Sequence, residues 1–403
     1  MRRLEEYRGI VSDEILGDLY RRASKLYDKH VVHLNSTAQG GGVAEILYTL
    51  IPLMNDVGLD AGWRVLVGSD DFFGVTKKFH NGLQGEKINL TEQKKRLYVQ
   101  TNENFAQYTH ISKHDAVIVH DPQPLPIIRS YKKRQPWIWR CHIDLTDPDP
   151  KLWEFLKSYV MRYDLMIVSH EQYLRPDLTV EQRVINPAID PLSQKNIDIP
   201  QRTIHKYMER HNIPMDKPLI TQVSRFDKWK DPVGVVEVFK RVREKVDCRL
   251  VLAGNMATDD PEGLAIYEKV LKRAGKYVKS GDIVFLLGAG DVVINALQRV
   301  SSVVLQKSLR EGFGLTVSEA MWKSTPVVAG AVGGIPLQII DGETGFLVDP
   351  ADLDQTAECI VTLLQDPDLA KAMAARGKEH VRENFLITRL LGHYLSLLAD
   401  VTK

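Results

Sequence analysis

Residues 219–232 read LITQVSRFDKWKDP and combine three features that recur along the chain. LITQV is a short β-rich run, the loop after it carries an arginine and two lysines, and Asp231-Pro232 is typical of a helix start. A strand, a loop and a helix in this order form half of a βαβ unit. In a parallel sheet, the loop lies at the carboxyl end of its strand, where ligands bind.

The same order of strand, loop and helix recurs along the chain in two series. Strand-like runs occur at 31–35, 63–67, 116–120, 137–141 and 165–168, and then at 219–223, 249–253, 283–287, 303–306 and 326–329. Most are continuously apolar, as expected for parallel strands covered on both faces by helices. We therefore predict an α/β fold with two doubly wound, Rossmann-like domains facing a central cleft.

The two series are separated by the proline-containing stretch NPAIDPLSQKN at 186–196. We place the first domain at 1–190 and the second at 191–383. Helical patterns close the chain at 352–365, 367–383 and 386–400, with Asp366-Pro367 as a stop and restart. The last helix, about 384–403, could pack back on the first domain.

Composition excludes several classes of protein. The 403 residues are 44 % apolar and 26 % charged, which suits a globular enzyme with large cores. A formal net charge of +1 argues against binding nucleic acid or an anionic membrane through bulk charge. Three cysteines without a C-x-x-C pair, and no apolar run of signal-peptide or membrane-span type, predict a cytoplasmic location.

Arg225 and Lys230 are two cations on the strand-to-helix loop quoted above. Arginine offers a planar fork for phosphate, lysine supplies a mobile point charge, and a nearby helix N-terminus adds to the same field. The alternative is that both are solvated surface charges, the usual fate of these residues. The loop by itself does not decide between the two interpretations.

A second polar loop, REGFGLTVSE at 310–319, follows another strand. Its glycines let the backbone approach a ligand, and Thr316 is predicted to cap the next helix. Glu311 and Glu319 would be ~12 Å apart in a continuous helix at ~1.5 Å per residue. Glycosidase carboxylates lie roughly 5–9.5 Å apart, so two separate substrate-holding tasks are favoured. The alternative for Glu319 is an ordinary exposed helix residue.

The first domain contributes a glycine-rich loop, STAQGGGVAE at 36–45, and two polar strand ends, VHDPQP and WRCHID. The loop is suited to a diphosphate but is not a dinucleotide fingerprint, and a tight strand–helix connection explains it nearly as well. His142 and Asp144 would reach the cleft, whereas His120 is more typical of a structural histidine. No zinc motif, nucleophile elbow or strand-end D-x-D is present, so nothing requires a metal ion.

The combination S-R-F-D-K-W-K with E-G-F-G-L-T-x-x-E resembles the retaining GT-B glycosyltransferases of the glycogen-synthase and sucrose-synthase type, called family 4. A-V-G-G-I at 331–335, D-G-E-T-G-F-L-V at 341–348 and the closing L-L-Q-D-P support it. In the first domain, H-L-N-S-T-x-x-G-G-G-V-A-E-I-L, F-H-N-x-L-Q-G at 79–85 and the two strand ends look like trehalose glycosyl-transferring synthases. That resemblance implies formation of α,α-trehalose from ADP- or UDP-glucose and free glucose.

The resemblance also implies roles for individual residues. Arg225, Lys230, Glu311 and His142 would act in catalysis, His142 beside the reacting carbon. The first domain would lie on the acceptor side, with Asp121 and Asp144 as acceptor ligands. The second would bind the donor. The donor ligands would be Gly41, Gly42, Arg225, Lys230, Glu311, Gly312, Phe313, Gly314, Leu315, Thr316 and Glu319.

Other functions remain open at this point. The chain could be another retaining α-glucosyltransferase that forms sucrose or a glycoside, a GT-B-shaped nucleotide-sugar epimerase, or a non-catalytic sugar-nucleotide sensor. The expected partners are sugars and a nucleotide-sugar co-substrate, without nucleic acid or membrane. No cofactor is required, and Mg²⁺ stimulation and a homodimer stay open.

Overall fold

The computed structural model describes residues 2–38, 41–254 and 261–402. The chain divides into two compact units. Unit 1 comprises Met1–Ala188 together with Ile387–Lys403, and unit 2 comprises Ile189–Leu386. Unit 1 is therefore discontinuous in sequence, because its last helix follows the whole of unit 2.

Unit 1 is built on a parallel sheet. Its described strands are β1 His30–Asn35, β2 Asp60–Val65, β3 Ala116–His120, β4 Trp137–Arg140, β5 Leu165–Val168 and β6 Glu181–Val184. They are arranged in the order β2-β1-β3-β4-β5-β6, each parallel to its neighbours. The central strands β3, β4 and β5 are buried along their whole length, which explains why their sequences are apolar rather than alternating.

Several helices of unit 1 begin at side chains that accept hydrogen bonds from free amides. Examples are Ser12, Thr91 and Asp149, which cap three of them. The described helices of this unit are α1 Asp13–Ala23, α2 Gly42–Asp56, α3 Asp70–Leu83, α4 Glu92–Tyr108, α5 Pro150–Val160 and α15 Ile387–Val401. Helix α15 packs against α1 and α2, so the end of the chain completes the core of unit 1.

Unit 2 is also built on a parallel sheet with flanking helices. Its described strands are β7 Leu219–Val223, β8 Arg249–Gly254, β9 Ile283–Leu287, β10 Val303–Gln306, β11 Val327–Gly330 and β12 Phe346–Val348. They form a parallel sheet in the order β12-β11-β10-β7-β8-β9. Because β7 and β10 are neighbours, the two polar loops that follow them start at adjacent points of one sheet edge.

Helices of unit 2 follow its strands and then close the unit. They are α6 Gln201–Arg210, α7 Pro232–Lys245, α8 Pro261–Ala274, α9 Lys276–Lys279, α10 Asp291–Val300, α11 Leu315–Trp322, α12 Ile335–Gln338, α13 Leu353–Gln365 and α14 Pro367–Asn384. Helix α7 begins at Pro232 with Asp231 as its cap, and the predicted restart is confirmed where Asp366 accepts a hydrogen bond from Leu369 N (2.9 Å).

The predicted α/β class and parallel sheets are confirmed, with three differences at sheet edges. The run predicted at 63–67 is shifted, because β2 spans Asp60–Val65 and Val67 is 80 % exposed. Strand β6 was not predicted, since its sequence EQRV is polar. Strand β12 was not predicted because it has only three residues. Edge strands pair on one side only and need less apolar sequence.

Candidate functional site

Arg225 lies in the loop between β7 and α7, and 60 % of its side chain is exposed. Its Nη2 atom is 3.8 Å from Oδ2 of Asp227, which is too long for a good hydrogen bond. Asp227 also accepts a hydrogen bond from Trp229 N (2.8 Å) and thereby holds the single turn Lys228–Lys230. The position of Arg225 agrees with both interpretations of this residue, a solvated charge and a phosphate ligand.

Lys230 ends the same turn, and its Nζ atom donates a hydrogen bond to Oε2 of Glu311. Only 18 % of the Lys230 side chain and 11 % of the Glu311 side chain are exposed. The fold thus pairs two predicted site residues that are 81 positions apart in sequence. The surface-charge interpretation is wrong for Lys230, because burying an ammonium group requires a partner of this kind.

Three neutral side chains that the sequence reading missed support this ion pair. Gln306 Nε2 and Ser308 Oγ donate to the same Glu311 oxygen, at 3.3 and 3.2 Å, and Gln222 Nε2 donates to the carbonyl of Lys230 at 2.8 Å. Among the described residues, Oε1 of each glutamine is buried without a hydrogen-bond partner. In the sequence, these two glutamines could have been noticed because each lies near the carboxyl end of a mostly apolar strand, LITQV for Gln222 and VVLQ for Gln306.

The loop 312–314 leads from Glu311 into α11. Gly314 is the N-cap residue with φ 82° and, as a glycine, has no side chain to cap the helix. The prediction that Thr316 caps α11 is wrong, because the helix begins at Leu315 and the Thr316 hydroxyl donates to Val223 O at 3.5 Å. A helix start without a capping side chain presents amide groups suited to an anion.

The rest of this loop is held by its own unit. Phe313 is 5 % exposed and packs on the ring of Phe385, with the two centroids 5.7 Å apart. The Phe313 carbonyl accepts a hydrogen bond from Gln338 Nε2 at 2.5 Å, and Gly334 N donates to Gly312 O at 3.2 Å. The loop is therefore a fixed scaffold, and Leu315 stays half-buried at the helix start.

Gly314→Ala should destabilise the protein and disturb Glu311. A Cβ atom at residue 314 would lie 3.2 Å from Cγ of Glu311 and would force a left-handed backbone on alanine. We expect the free energy of unfolding to fall by about 1–2 kcal/mol and the KM for the donor to rise. Gly281→Ala is the control, since Gly281 has φ 75° with no atom within 4 Å of its Cβ position. Equal stability and equal KM in the two variants would contradict the assignment.

Glu319 lies inside α11 and is 4 % exposed, so the alternative of an ordinary exposed helix residue is wrong. Its Oε1 atom is 3.7 Å from Nζ of Lys195, a cation that the sequence reading did not select. Lys323 donates to the Glu319 carbonyl at 3.0 Å and to Asn196 Oδ1 at 2.7 Å. Burial lowers the pKa of Lys323 to about 7. Glu319 is thus a buried carboxylate whose side chain faces Lys195 and whose backbone carbonyl binds Lys323.

In unit 1, the glycine loop leads into α2. The helix begins at Gly42 with Gly41 as its N-cap residue, and no side chain caps it. Its start therefore presents amides in the same way as α11 does. Gly40, the first of the three glycines, lies outside the described residues.

His142 follows β4 and belongs to a series of three histidines. Its Nε2 atom is 3.0 Å from Nδ1 of His120, and His120 Nε2 is 3.0 Å from Nδ1 of His33. Burial lowers the pKa of His33 to about 3 and holds the pKa values of His120 and His142 well below their usual range. Of these three histidines, the sequence predicts a functional role for His142 and a structural role for His120, and it gives no role to His33.

The two predicted acceptor ligands make local contacts in unit 1. Asp121, at φ 62°, accepts a hydrogen bond from the backbone N–H of His142 at 2.8 Å, and burial raises the pKa of Asp121 to about 6. Asp144 is 5 % exposed and accepts from Thr146 N at 2.8 Å. Asp121 therefore fixes the backbone that carries His142.

Two features are absent from residues 2–38, 41–254 and 261–402, the part of the chain that the structure describes. No helix there is long and apolar enough to span a membrane. No three His, Cys, Asp or Glu side chains there are grouped so that they could hold a metal ion.

Comparison with known proteins assigns the family. The family model described as "Trehalose synthase, N-terminal domain" matches residues 33–175, and "Glycosyl transferases group 1" matches residues 203–380. A trehalose synthase of Thermococcus litoralis is 50 % identical over 400 residues, which cover 98 % of this chain and 97 % of that protein. The chain belongs to the trehalose synthase family. A trehalose synthase of Rubrobacter xylanophilus is 43 % identical over 406 residues, 99 % of this chain and 97 % of its own length.

Membership of the trehalose synthase family agrees with the fold. A solved structure titled "Trehalose-6-phosphate from E. coli bound with UDP-2-fluoro glucose" aligns with a TM-score of 0.75 at 16 % identity, covering 93 % of this chain and 99 % of that one. The predicted GT-B fold, the glycosyltransferase class and the resemblance to trehalose synthases are therefore confirmed.

Proposed function

We propose that this trehalose synthase family member is a retaining glucosyltransferase that makes α,α-trehalose from ADP- or UDP-glucose and free glucose. The observation that carries the proposal is the largely buried Lys230–Glu311 pair at the carboxyl edge of the unit 2 sheet, beside the uncapped start of α11. Lys230 of this pair offers a cation for phosphate, and Glu311, which contacts it directly, offers a carboxylate for sugar hydroxyls. Trehalose is proposed as the product because the similar proteins are named trehalose synthases.

Unit 2 would bind the donor. Arg225 and Lys230 would hold the diphosphate, and the backbone from Gly312 to Thr316 would add amides to it. Glu311 would exchange its contact with Lys230 for the glucosyl hydroxyls, so that donor binding replaces one ion pair by two ligand contacts. Glu319 would accept hydrogen bonds from the ribose hydroxyls.

The chemistry needs no protein nucleophile. The anomeric C–O bond to the diphosphate breaks, its electron pair stays on the phosphate, and the sugar gains positive charge. Fixed cations and amides stabilise the departing charge, the kind of contribution that is often largest in enzymes. The acceptor hydroxyl then bonds to the anomeric carbon on the same face, and its proton passes to the leaving phosphate. The configuration is thus retained.

Unit 1 would supply the remaining groups of the proposal. His142 would lie beside the reacting carbon, and Gly41 and Gly42 would add amides toward the phosphates. Asp144 and Asp121 are our proposed acceptor-side residues, and Asp121 would act by fixing the backbone of His142. No cofactor or metal ion takes part in this scheme.

The setting of the enzyme is also a proposal. The free cysteines Cys141, Cys248 and Cys359 are compatible with a reducing cytoplasm. The partners are sugars and the nucleotide-sugar, without nucleic acid or membrane, and a homodimer remains to be tested by light scattering.

Purified full-length protein, incubated with ADP-glucose or UDP-glucose and glucose, should release a nucleoside diphosphate and form a disaccharide. We expect chromatography and digestion by trehalase to identify α,α-trehalose, and omission of glucose to abolish it. Formation of a different disaccharide would contradict the proposal. Deuterium uptake from heavy water into the donor, without an acceptor, would instead support an epimerase.

A further inference from the structure

The three histidines of unit 1 form a continuous array across its sheet. His33 lies on β1, His120 ends β3 and His142 follows β4, and these strands are neighbours in the order β1-β3-β4. Two ring-to-ring hydrogen bonds of 3.0 Å join them. Their planes are nearly parallel, at 24° and 14° to one another, with centroids 5.3 Å apart at each step, as expected for imidazoles joined through their ring nitrogens. His33 and His120 are 0 % and 1 % exposed, so the array leads from the core toward His142.

The surroundings of the array disfavour a positive charge on it. Burial lowers the pKa of all three imidazoles, and the cationic Arg140 contributes in the same direction for His120 and His142. Arg140 is 1 % exposed and is held by Val168 O at 3.0 Å. Each ring is therefore neutral and carries one proton, either on Nδ1 or on Nε2.

The inner end of the array decides where these protons lie. Among the described residues, Nε2 of His33 is buried without a hydrogen-bond partner. Besides the ring of His120, His33 faces that of Tyr394, whose centroid is 5.9 Å away and whose plane is tilted by 56°, which offers at most a weak contact. A buried N–H without a partner is rarer in proteins than an unused acceptor. The proton of His33 is therefore on Nδ1.

The proton position of His33 determines the proton positions of His120 and His142. The Nδ1–H of His33 donates to His120 Nε2, which forces the proton of His120 onto its Nδ1. That N–H donates to His142 Nε2 and forces the proton of His142 onto Nδ1. The array therefore presents His142 as a neutral hydrogen-bond donor, without a lone pair on the nitrogen that lies outside the array.

We infer that His33 and His120 are positioning residues, which fix His142 as a neutral imidazole whose Nδ1–H donates a hydrogen bond to an oxygen of the glucosyl donor. The inference rests on the proposed function. It also explains why such a histidine would suit the reaction. An imidazolium would repel the positive charge that develops on the sugar, and a basic nitrogen would compete with the leaving phosphate for the acceptor proton.

A kinetic comparison tests the role of His33. His33→Phe keeps an aromatic ring but removes the Nδ1–H, and we expect kcat to fall roughly tenfold, the lower range for losing a residue that orients a functional histidine. The KM for the donor should change by less than about twofold, since no donor contact is removed. His33→Asn can place an amide N–H near the position of Nδ1 and should recover most of kcat. An unchanged kcat in His33→Phe would overturn the inference.

Tyr163→Phe provides the matched control. It removes another buried hydrogen bond of unit 1, from Tyr163 Oη to Leu125 O at 2.7 Å, and lies outside the array. We expect it to lower the Tm with kcat unchanged. A tenfold loss of kcat in Tyr163→Phe as well would mean that any weakening of the core slows the enzyme, and the positioning role would be rejected.

Nitrogen NMR of the protein labelled with ¹⁵N-histidine tests the proton positions without reference to activity. At pH 7, without substrates, Nδ1 of His33, His120 and His142 should carry the proton, with each signal assigned by its disappearance in the Asn variant of that residue. A proton on Nε2 of His142, or a doubly protonated ring, would overturn the inference even if trehalose is formed. If trehalose is not formed but the tautomers are as expected, the proposed function fails while the array stands.

Discussion

Arg225→Ala and Lys230→Ala should each lower kcat by a factor of ~10²–10³, the range seen when one group that stabilises developing charge is removed. The diphosphate gains negative charge as the glycosidic bond breaks, so the lost contact matters more in the transition state than in the bound ground state. Lys230→Ala should also weaken folding, because the buried Glu311 carboxylate would lose the ammonium group of Lys230, which the neutral donors Gln306 and Ser308 do not replace. Arg225 is exposed, so its replacement should leave the Tm unchanged.

Steady-state kinetics with saturating glucose would measure these effects. Arg382→Ala and Lys240→Ala serve as controls, since each removes a cation of unit 2 that pairs with one neighbouring glutamate. Both controls should stay within about twofold of the unmodified enzyme. Near-normal rates for Arg225→Ala and Lys230→Ala would show that the diphosphate is bound elsewhere.

Lowering the pH from 7 to 5 should reduce the free energy of unfolding by roughly 5 kcal/mol through the three histidines of the array and Asp121. His33, His120 and His142 stay neutral in the folded protein, while in the unfolded chain each takes up a proton below about pH 6.5. The unfolded state then binds more protons, so stability falls as the pH falls, by about 2 kcal/mol at pH 5 for each ring. Asp121, with its pKa raised to about 6, acts in the opposite direction and offsets at most about 1 kcal/mol.

Urea unfolding at both pH values would check this. In His33→Phe one of the three rings that titrate on unfolding is gone, so the difference between pH 7 and pH 5 should shrink by about 2 kcal/mol. His205→Asn replaces an exposed histidine of unit 2 and should leave the difference as it is. The same pH dependence in His33→Phe and the unmodified protein would contradict the neutral state of His33.

The sequence predicts the fold well because most strands are buried on both faces and are therefore apolar throughout. It also selects the loops after β7 and β10, since polar residues after apolar strands lie at the sheet edge where ligands bind. It fails where a function depends on which strands are neighbours. The Lys230–Glu311 pair requires β7 to lie beside β10, and the histidine array requires β1, β3 and β4 to be adjacent.

Single residues were missed for the same reason. His33 lies inside a strand between Val32 and Leu34, and nothing in this stretch of sequence indicates a partner 87 positions away. Gln306 and Lys195 become notable only through their contacts with carboxylates. Thr316 has the residue type of a cap, but the left-handed backbone at Gly314 starts α11 two residues earlier in the chain.

The discontinuity of unit 1 has a consequence for how the protein is made. Its sheet leaves the ribosome first, but α15, which supplies Tyr394 beside His33, is synthesised only after all of unit 2. The surfaces of α1 and α2 that α15 covers must stay unoccupied while about 200 residues are translated, which takes roughly 10–40 s at ~5–20 residues per second. Unit 2 can fold as an uninterrupted segment during that time. Nascent chains should therefore become protease-resistant in unit 2 before unit 1, the reverse of the order in which their sheets are synthesised.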